Sequence, residues 1–245
     1  MSPSRSLRVA VLAVAGLTAC GAEQPAPAAT TVTVTASPST STPASAWTET
    51  HLTGDDQTLT WDVVVPRLTG APVADEVNRR VTASAEDVLD DARATVQDGD
   101  PPRTITGRGT VTTDDGRTVQ VLLEVVDSTE GTAHPTTTVA STVVDVRTAE
   151  PVTLDDVFTD LAAAFTGLAP VVEEIAAAQG EPVTAPEGLA PEEANWATWQ
   201  SGADGFAFSF QDYQLGGHGV RRYVVPWERV EPLMTGEARE LLAPR

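Results

Sequence analysis

From Thr118 to Phe158 the chain alternates apolar and polar residues, breaks at a loop carrying a histidine, alternates again and then turns into a helix start. This run constrains the fold more than any other. Val119, Val121, Leu123 and Val125 alternate with Gln120, Leu122, Glu124 and Val126, the two-residue period of a strand with a well-buried face. Thr138 to Val146 is β-branched and close to alternating, a second strand. Thr153 opens a helix with Asp155 and Asp156 in its first turn, where carboxylates suit the unpaired amides.

Other elements attach to this centre on both sides. Leu59 to Val65 reads as a strand ended by Pro66. Val73, Val77, Val81, Ala85, Val88, Ala92 and Val96 recur at steps of three and four, which predicts one helix over Pro72 to Val96. Arg103 to Thr113 pairs with Thr118 to Asp127 as a hairpin across Asp114-Asp115-Gly116-Arg117. The helix from Thr153 places Leu154, Val157, Phe158, Leu161 and Phe165 on one side. A second helical piece, Pro170 to Gln179, stops at Gly180, and Glu181 to Glu192, with three prolines, reads as surface loop. Phe206, Phe208 and Phe210 mark a core-facing strand, Arg222 to Val225 the last strand, and Pro226 to Met234 a short closing helix.

The N-terminus has another character. Residues 1–19 hold Arg5 and Arg8, no acid, and the apolar run VAVLAVAGL, which suits a signal peptide and is too short to span a membrane. Leu17-Thr18-Ala19-Cys20-Gly21 resembles the bacterial lipobox, in which the cysteine becomes the lipid-bearing N-terminus. Cys20 is the sole cysteine, so an internal disulfide is excluded. Residues 20–46 follow as an Ala/Thr/Ser/Pro linker with one charge and no aromatic residue, a composition that cannot bury a core. Extended, the 26 residues after Cys20 would reach roughly 80 Å. Residues 47–245 form the expected globular part, one domain on a single core. The expected location is extracytoplasmic, lipid-anchored to the outer face of the cell membrane.

Charge narrows the partners. All 15 basic residues are arginines, against 35 acidic ones, and removal of residues 1–19 makes the net charge 13 − 35 = −22. So acidic a domain has no electrostatic footprint for nucleic acid, and a cationic protein is the partner that steering favours. The acidity also serves solubility. Absence of lysine, with two isoleucines and two asparagines, points to a high-GC, actinobacterial type of genome.

Few residues can carry chemistry. His134, between a glycine turn and Pro135, could be a metal ligand or a general base with Asp127 or Glu130; alternatively, its ring nitrogens fasten the loop. His218 sits in Gly216-Gly217-His218-Gly219, an exposed loop, and His51 is the third histidine. The acid pairs Asp114-Asp115 and Asp155-Asp156 lack the calcium-loop pattern and suit a turn and a helix start. Nucleophile-elbow, Walker and dinucleotide motifs are absent from the sequence, and no cofactor is expected. Trp196 and Trp199, three apart, together with Trp227, are the expected contact surface; core packing is the alternative.

Three patches resemble the extracellular domain of RsiV-type anti-sigma factors, a domain shared with secreted mycobacterial antigens and with accessory regions of cell-wall polysaccharide deacetylases. Gly131-Thr132-Ala133-His134-Pro135 is similar to the family's Gly-Gly-Ala-His-Pro loop, departing at the second position. Val152-Thr153-Leu154-Asp155-Asp156-Val157-Phe158 is similar to its helix start. Phe208 to Leu215, Gly219 and Val224-Val225-Pro226-Trp227 are similar to its C-terminal strand, glycine and Val-Pro-aromatic run. The resemblance spans about Leu59 to Met234. It implies one α+β domain, a curved antiparallel sheet with helices packed on one face. It also implies a receptor-like module, since RsiV proteins use this domain to bind lysozyme. The sigma-binding and transmembrane segments of that family are not matched, so the anti-sigma role is not carried over. The resulting expectation is a non-enzymatic lipoprotein that binds a protein or a cell-wall component. The alternative is a cell-wall glycan hydrolase or deacetylase acting through His134 and nearby carboxylates.

Overall fold

The computed structural model describes residues 46–56 and 58–244. Cys20, the expected signal peptide and nearly all of the linker lie outside them. The expected α+β class is what the chain adopts, with its strands divided between two sheets.

The first sheet has the order β1 (Ala46–Asp56), β2 (Leu59–Thr69), β3 (Arg103–Asp114), β4 (Thr118–Thr129), β5 (Thr136–Asp145). Its β2–β3 pair is parallel and the other three are antiparallel. The parallel pair follows from α1 (Ala74–Ala94), the crossover that joins β2 to β3. Val77, Val81, Ala85, Leu89 and Ala92 make the buried stripe of α1 against the sheet.

β2 runs four residues beyond its expected end. Pro66 lies past the last β2–β3 partner, Val64↔Arg108, so the N–H it lacks is not needed on that side. The ring packs over Gly109, where a Cβ would stand 2.6 Å from Pro66 Cδ. β1 is a further strand that the sequence reading missed. It is half-exposed along its length and exists through its register with β2, from Ala46↔Thr69 to Asp56↔Leu59.

The second sheet is small: β6 (Trp199–Ser201), β7 (Gly205–Phe210) and β8 (Arg221–Pro226), all antiparallel. Four more helices flank it: α3 (Leu161–Ala178), α4 (Glu193–Trp196), α5 (Trp227–Val230) and α6 (Gly236–Leu242). The single helix expected from Thr153 is two. α2 (Leu154–Val157) is one turn, with Asp156 Oδ2 accepting from Thr153 N at 2.8 Å and from Thr153 Oγ1 at 2.7 Å. Phe158 is then extended and bridges Met234, a tertiary pairing that stops the helix.

α3 restarts behind Asp160, whose carboxylate accepts from Ala163 N at 2.9 Å. Pro170 lies inside α3 and does not begin a new helix. Its ring costs about 3 kcal/mol in a helix interior, yet it sits on the exposed side. The apolar face Ala164, Phe165, Leu168, Val171, Val172 and Ala176 continues past it and holds the helix.

Amide side chains tie the pieces together. Asn78 in α1 accepts from Leu68 N at 2.7 Å and donates to Leu68 O at 2.9 Å. Gln211 does the same for Val139 on the outer edge of β5, at 2.9 and 2.7 Å. Gln120 accepts from Ser201 N at 2.9 Å and donates to Ser201 Oγ at 2.7 Å. These amides accept from the backbone N–H groups of Leu68, Val139 and Ser201 at buried seams.

Candidate functional site

The loop between β7 and β8 and the loop between β4 and β5 meet at one surface. Between β7 and β8, the chain turns at Gln211 to Gly219. Gln214 N donates to Gln211 O at 3.0 Å and Gly216 N to Tyr213 O at 2.9 Å. Leu215 is buried and anchors the loop, while its carbonyl accepts from Thr184 N at 3.0 Å. Gly216, at φ +81°, lies so close to Thr184 that a Cβ would come within 2.0 Å of its Oγ1. This tight turn forces Tyr213 to φ +65°, a left-handed conformation uncommon for an aromatic residue. Tyr213 is 45% exposed, one of two large hydrophobic side chains left in solvent among the described residues.

Tyr213 meets the histidines there. Its Oη stands 2.9 Å from His134 Nε2. The imidazoles of His134 and His218 stack with centroids 4.1 Å apart and planes tilted by 33°. His218 Nδ1 lies 3.0 Å from Asp212 Oδ1. That carboxylate is almost wholly buried, its side chain 1% exposed. Burial opposes its ionised form, but the Gly219 amide at 2.6 Å, the Thr137 amide at 3.3 Å and His218 outweigh burial and hold the carboxyl below the usual range. Asp212 thereby orients His218, whose Nε2 has no hydrogen-bond partner among the described residues.

His134 thus fastens two loops to each other, with Pro135 directly behind it; its own Nδ1 contact to Pro135 O, at 3.4 Å, is long. Neither carboxylate proposed beside it is a hydrogen-bond partner among the described residues. Asp127 is held by Arg103, with Nε at 2.7 Å from Oδ1 and Nη2 also bonded, and this pairing raises the Arg103 pKa. Glu130 is exposed, its amide bonded to Pro102 O. His51 is paired with Asp62 at 2.8 Å, between β1 and β2.

The tryptophans are a correction. Trp196, Trp199 and Trp227 are 0%, 4% and 8% exposed and make no contact surface. Trp196 stacks on Phe165 with centroids 5.1 Å apart and planes at 3°, and its Nε1 donates to Ala190 O at 3.1 Å. Trp199 stacks on Phe206 at 5.0 Å, and Trp227 Nε1 donates to Gly202 O at 3.0 Å. Strands as short as β6 and β7 need large rings to fill the space beneath α3. Asp212 and Tyr213 are the site residues that sequence reasoning missed. The available sign was an acid and a tyrosine just ahead of a loop with three glycines.

Next to this patch lies a cleft of about 310 Å³, with His134 as one wall and Arg103, Asp127, Thr132, Thr136 and Pro101 among its lining.

Comparison with solved structures falls on the same architecture. A DUF3298 family protein from Pseudomonas aeruginosa PAO1 superposes with TM-score 0.56 at 11% identity, over 80% of this chain and 95% of that one. A DUF3298 family member from Bacteroides fragilis superposes with TM-score 0.54 at 14% identity, again over 80% and 95%. The fold is the one these DUF3298 proteins have. At such identities the likeness concerns fold alone. No family model and no curated protein matches the sequence.

Proposed function

We propose that this chain is a non-enzymatic cell-surface lipoprotein that presents an RsiV-like binding domain to a protein or cell-wall ligand. In this reading, Cys20 carries the acyl chains on the outer face of the cell membrane, the segment to residue 46 is the tether, and Tyr213, His134 and His218 make the contact. Acyl chains contribute about 0.8 kcal/mol per buried methylene, so two or three hold a protein stably. The observation that carries the binding reading is Tyr213: an exposed aromatic ring kept on a left-handed backbone by the glycine turn around it. Strain of this kind, about 1–3 kcal/mol, is tolerated at surfaces that act. The likeness to the RsiV domain supplies the partner class, and the net charge of −20 favours a cationic protein such as lysozyme.

The test is capture by the full chain of wall fragments and of cationic lysozyme, beside palmitate labelling. The expected result is label on Cys20 that Cys20→Ala abolishes, and capture that Tyr213→Gly abolishes. Capture unaffected by Tyr213→Gly would remove the patch from the function, and unlabelled Cys20 would remove the anchor.

A second reading, turnover of wall glycan, rests on the Asp212–His218 pair, since a buried carboxylate behind an imidazole is the arrangement of a general base. It moves the chemistry from His134 to His218. Release of reducing ends or acetate from wall glycan, lost in His218→Ala, would establish it.

A further inference from the structure

The cleft beside the patch is built on a different principle from the patch. Its floor is the Arg103–Asp127 pair, whose charges cancel while 20% and 24% of the two side chains remain exposed. Arg103 uses both Nη1 hydrogens, on Ala92 O at 3.1 Å and Thr95 Oγ1 at 2.7 Å, and turns Nε and Nη2 to Asp127. A guanidinium has five donors. One Nη2 hydrogen therefore lacks a partner among the described residues, next to Asp127 oxygens that have lone pairs to spare. Thr132 Oγ1 donates to Thr129 O at 2.8 Å and so can accept again, and the exposed Thr136 brings another hydroxyl. Pro101 and Val96 supply an apolar wall, and the His134 ring supplies another.

Charge decides which ligand this suits. An anion would meet Asp127, Asp100 and a strongly negative chain. A cation would meet Arg103. A neutral ligand whose groups donate and accept at once matches a floor that presents a donor beside an acceptor. It must also carry an apolar face for His134 and Pro101. A pyranose has both, hydroxyls at the edge and C–H groups on the face. The volume, about 310 Å³, lies at the small end of ligand pockets, which run ~300–1,000 Å³.

We propose that this cleft is a saccharide subsite, taking a neutral sugar unit with its hydroxyl edge on Arg103–Asp127 and its C–H face against His134. This rests on the binding-module reading and narrows its ligand to a glycan. Tri-N-acetylchitotriose and mannotriose, titrated into the full chain with binding read by calorimetry, test it. The first arm stands for a wall-type amino-sugar backbone and the second for a glycoprotein glycan. The expected result is saturable binding of one of them, weakened at least tenfold by Asp127→Asn and several-fold by Thr136→Val, and unchanged by His51→Ala on the distant sheet edge. Should Asp127→Asn fail to fold, Thr136→Val decides, since it swaps an exposed hydroxyl for a methyl. Saccharide binding that ignores both variants, or no binding of either sugar, overturns the subsite. If no sugar binds while Tyr213-dependent capture of lysozyme or wall fragments persists, the subsite alone falls. If capture is lost as well, the binding-module reading falls with it.

Discussion

Beneath α1 the fully buried side chains are valine, leucine, isoleucine and alanine, without one aromatic ring. Beneath α3 the core holds all five phenylalanines of the chain, three of its five tryptophans and Tyr223. The difference follows from element length. Strands of ten to twelve residues and a helix of 21 can accumulate a core from small branched side chains by repetition. Strands of three and six residues offer few positions, so each must bury much more, and rings of 150–250 Å² do this. The consequence for function is direct. The aromatic residues best suited to hold a partner are committed to packing, and in the proposed reading the contact passes to Tyr213 and His218 on the loop between β7 and β8 and to His134 on the loop between β4 and β5.

Truncation should separate the two halves most sharply. Trp196→Ala removes a ring that touches Phe165, Phe208 and Phe210 and should cost ~3–5 kcal/mol. Leu89→Ala in the aliphatic half should fall in the range ~2–5 kcal/mol, at its lower end if the neighbouring small side chains relax into the space. Urea denaturation of both variants measures the difference. A smaller loss for Trp196→Ala than for Leu89→Ala would break the contrast between few large and many small contributors.

The seam comes next in size. Gln211→Ala strands the N–H of buried Val139, whose C=O keeps the Thr198 hydroxyl at 3.1 Å, and should cost ~1–3 kcal/mol. Fluorescence of the tryptophans is weighted to the aromatic half, which buries three of the five, while far-ultraviolet dichroism reports the helices and sheets of both halves. In the wild type the two should unfold together, because Gln120, Gln211 and Thr198 bond across the boundary. Separate transitions in the wild type would mean that the halves fold independently and that the amides only decorate their contact.

Legibility followed the same division of the molecule. α1 and the strands β3 to β5 are readable because their periods are long and their apolar residues repeat in register. Leu89 rather than Val88 completes the stripe of α1, a shift of one position that periodicity alone does not resolve. The strands β1 and β6 are not readable for local reasons: β1 buries no residue fully and β6 is three residues long, so each is held by the hairpin it forms with the next strand, closed at Asp56↔Leu59 and Ser201↔Phe206. The tryptophans look like contact residues in a sequence because a three-residue spacing fits an exposed helix face. Trp196 in fact ends a one-turn helix and Trp199 begins a strand, so both turn inward. At the site, the histidine loop is legible and its partners are not. Asp212 reaches His218 within one irregular loop, and Tyr213 reaches His134 because two loops 79 residues apart meet; neither contact follows a period.

Acid gives a smaller effect confined to one half. The folded-state pKa of Asp212 is lowered, so its contribution is fully present above the unfolded value of about 3.9 and is lost as pH falls through the lower folded value. Asp212→Asn should therefore reduce stability most at neutral pH, and the variant and wild type should converge in strong acid. His218 should lose its fixed ring orientation at the same time, visible as averaging of its imidazole resonances. A constant difference at every pH would assign the loss to packing of the loop and not to the charge.

Tyr213 brings the smallest effect on stability and the largest expected on binding. Its φ of +65° costs an L-residue about 1–3 kcal/mol that glycine avoids. Glycine in turn gains unfolded-state entropy worth ~0.4–1 kcal/mol, and the substitution loses the contact of Oη with His134. These terms oppose, so Tyr213→Gly should leave the melting midpoint within a few degrees of the wild type or raise it, while capture fails. That outcome is the reverse of the one expected for Trp196, where stability falls and no surface group is lost. Were Tyr213→Gly instead as destabilising as a core truncation, the ring would be a structural plug for the two loops. The left-handed turn would then be explained by packing, and the exposed aromatic would no longer mark a site of contact.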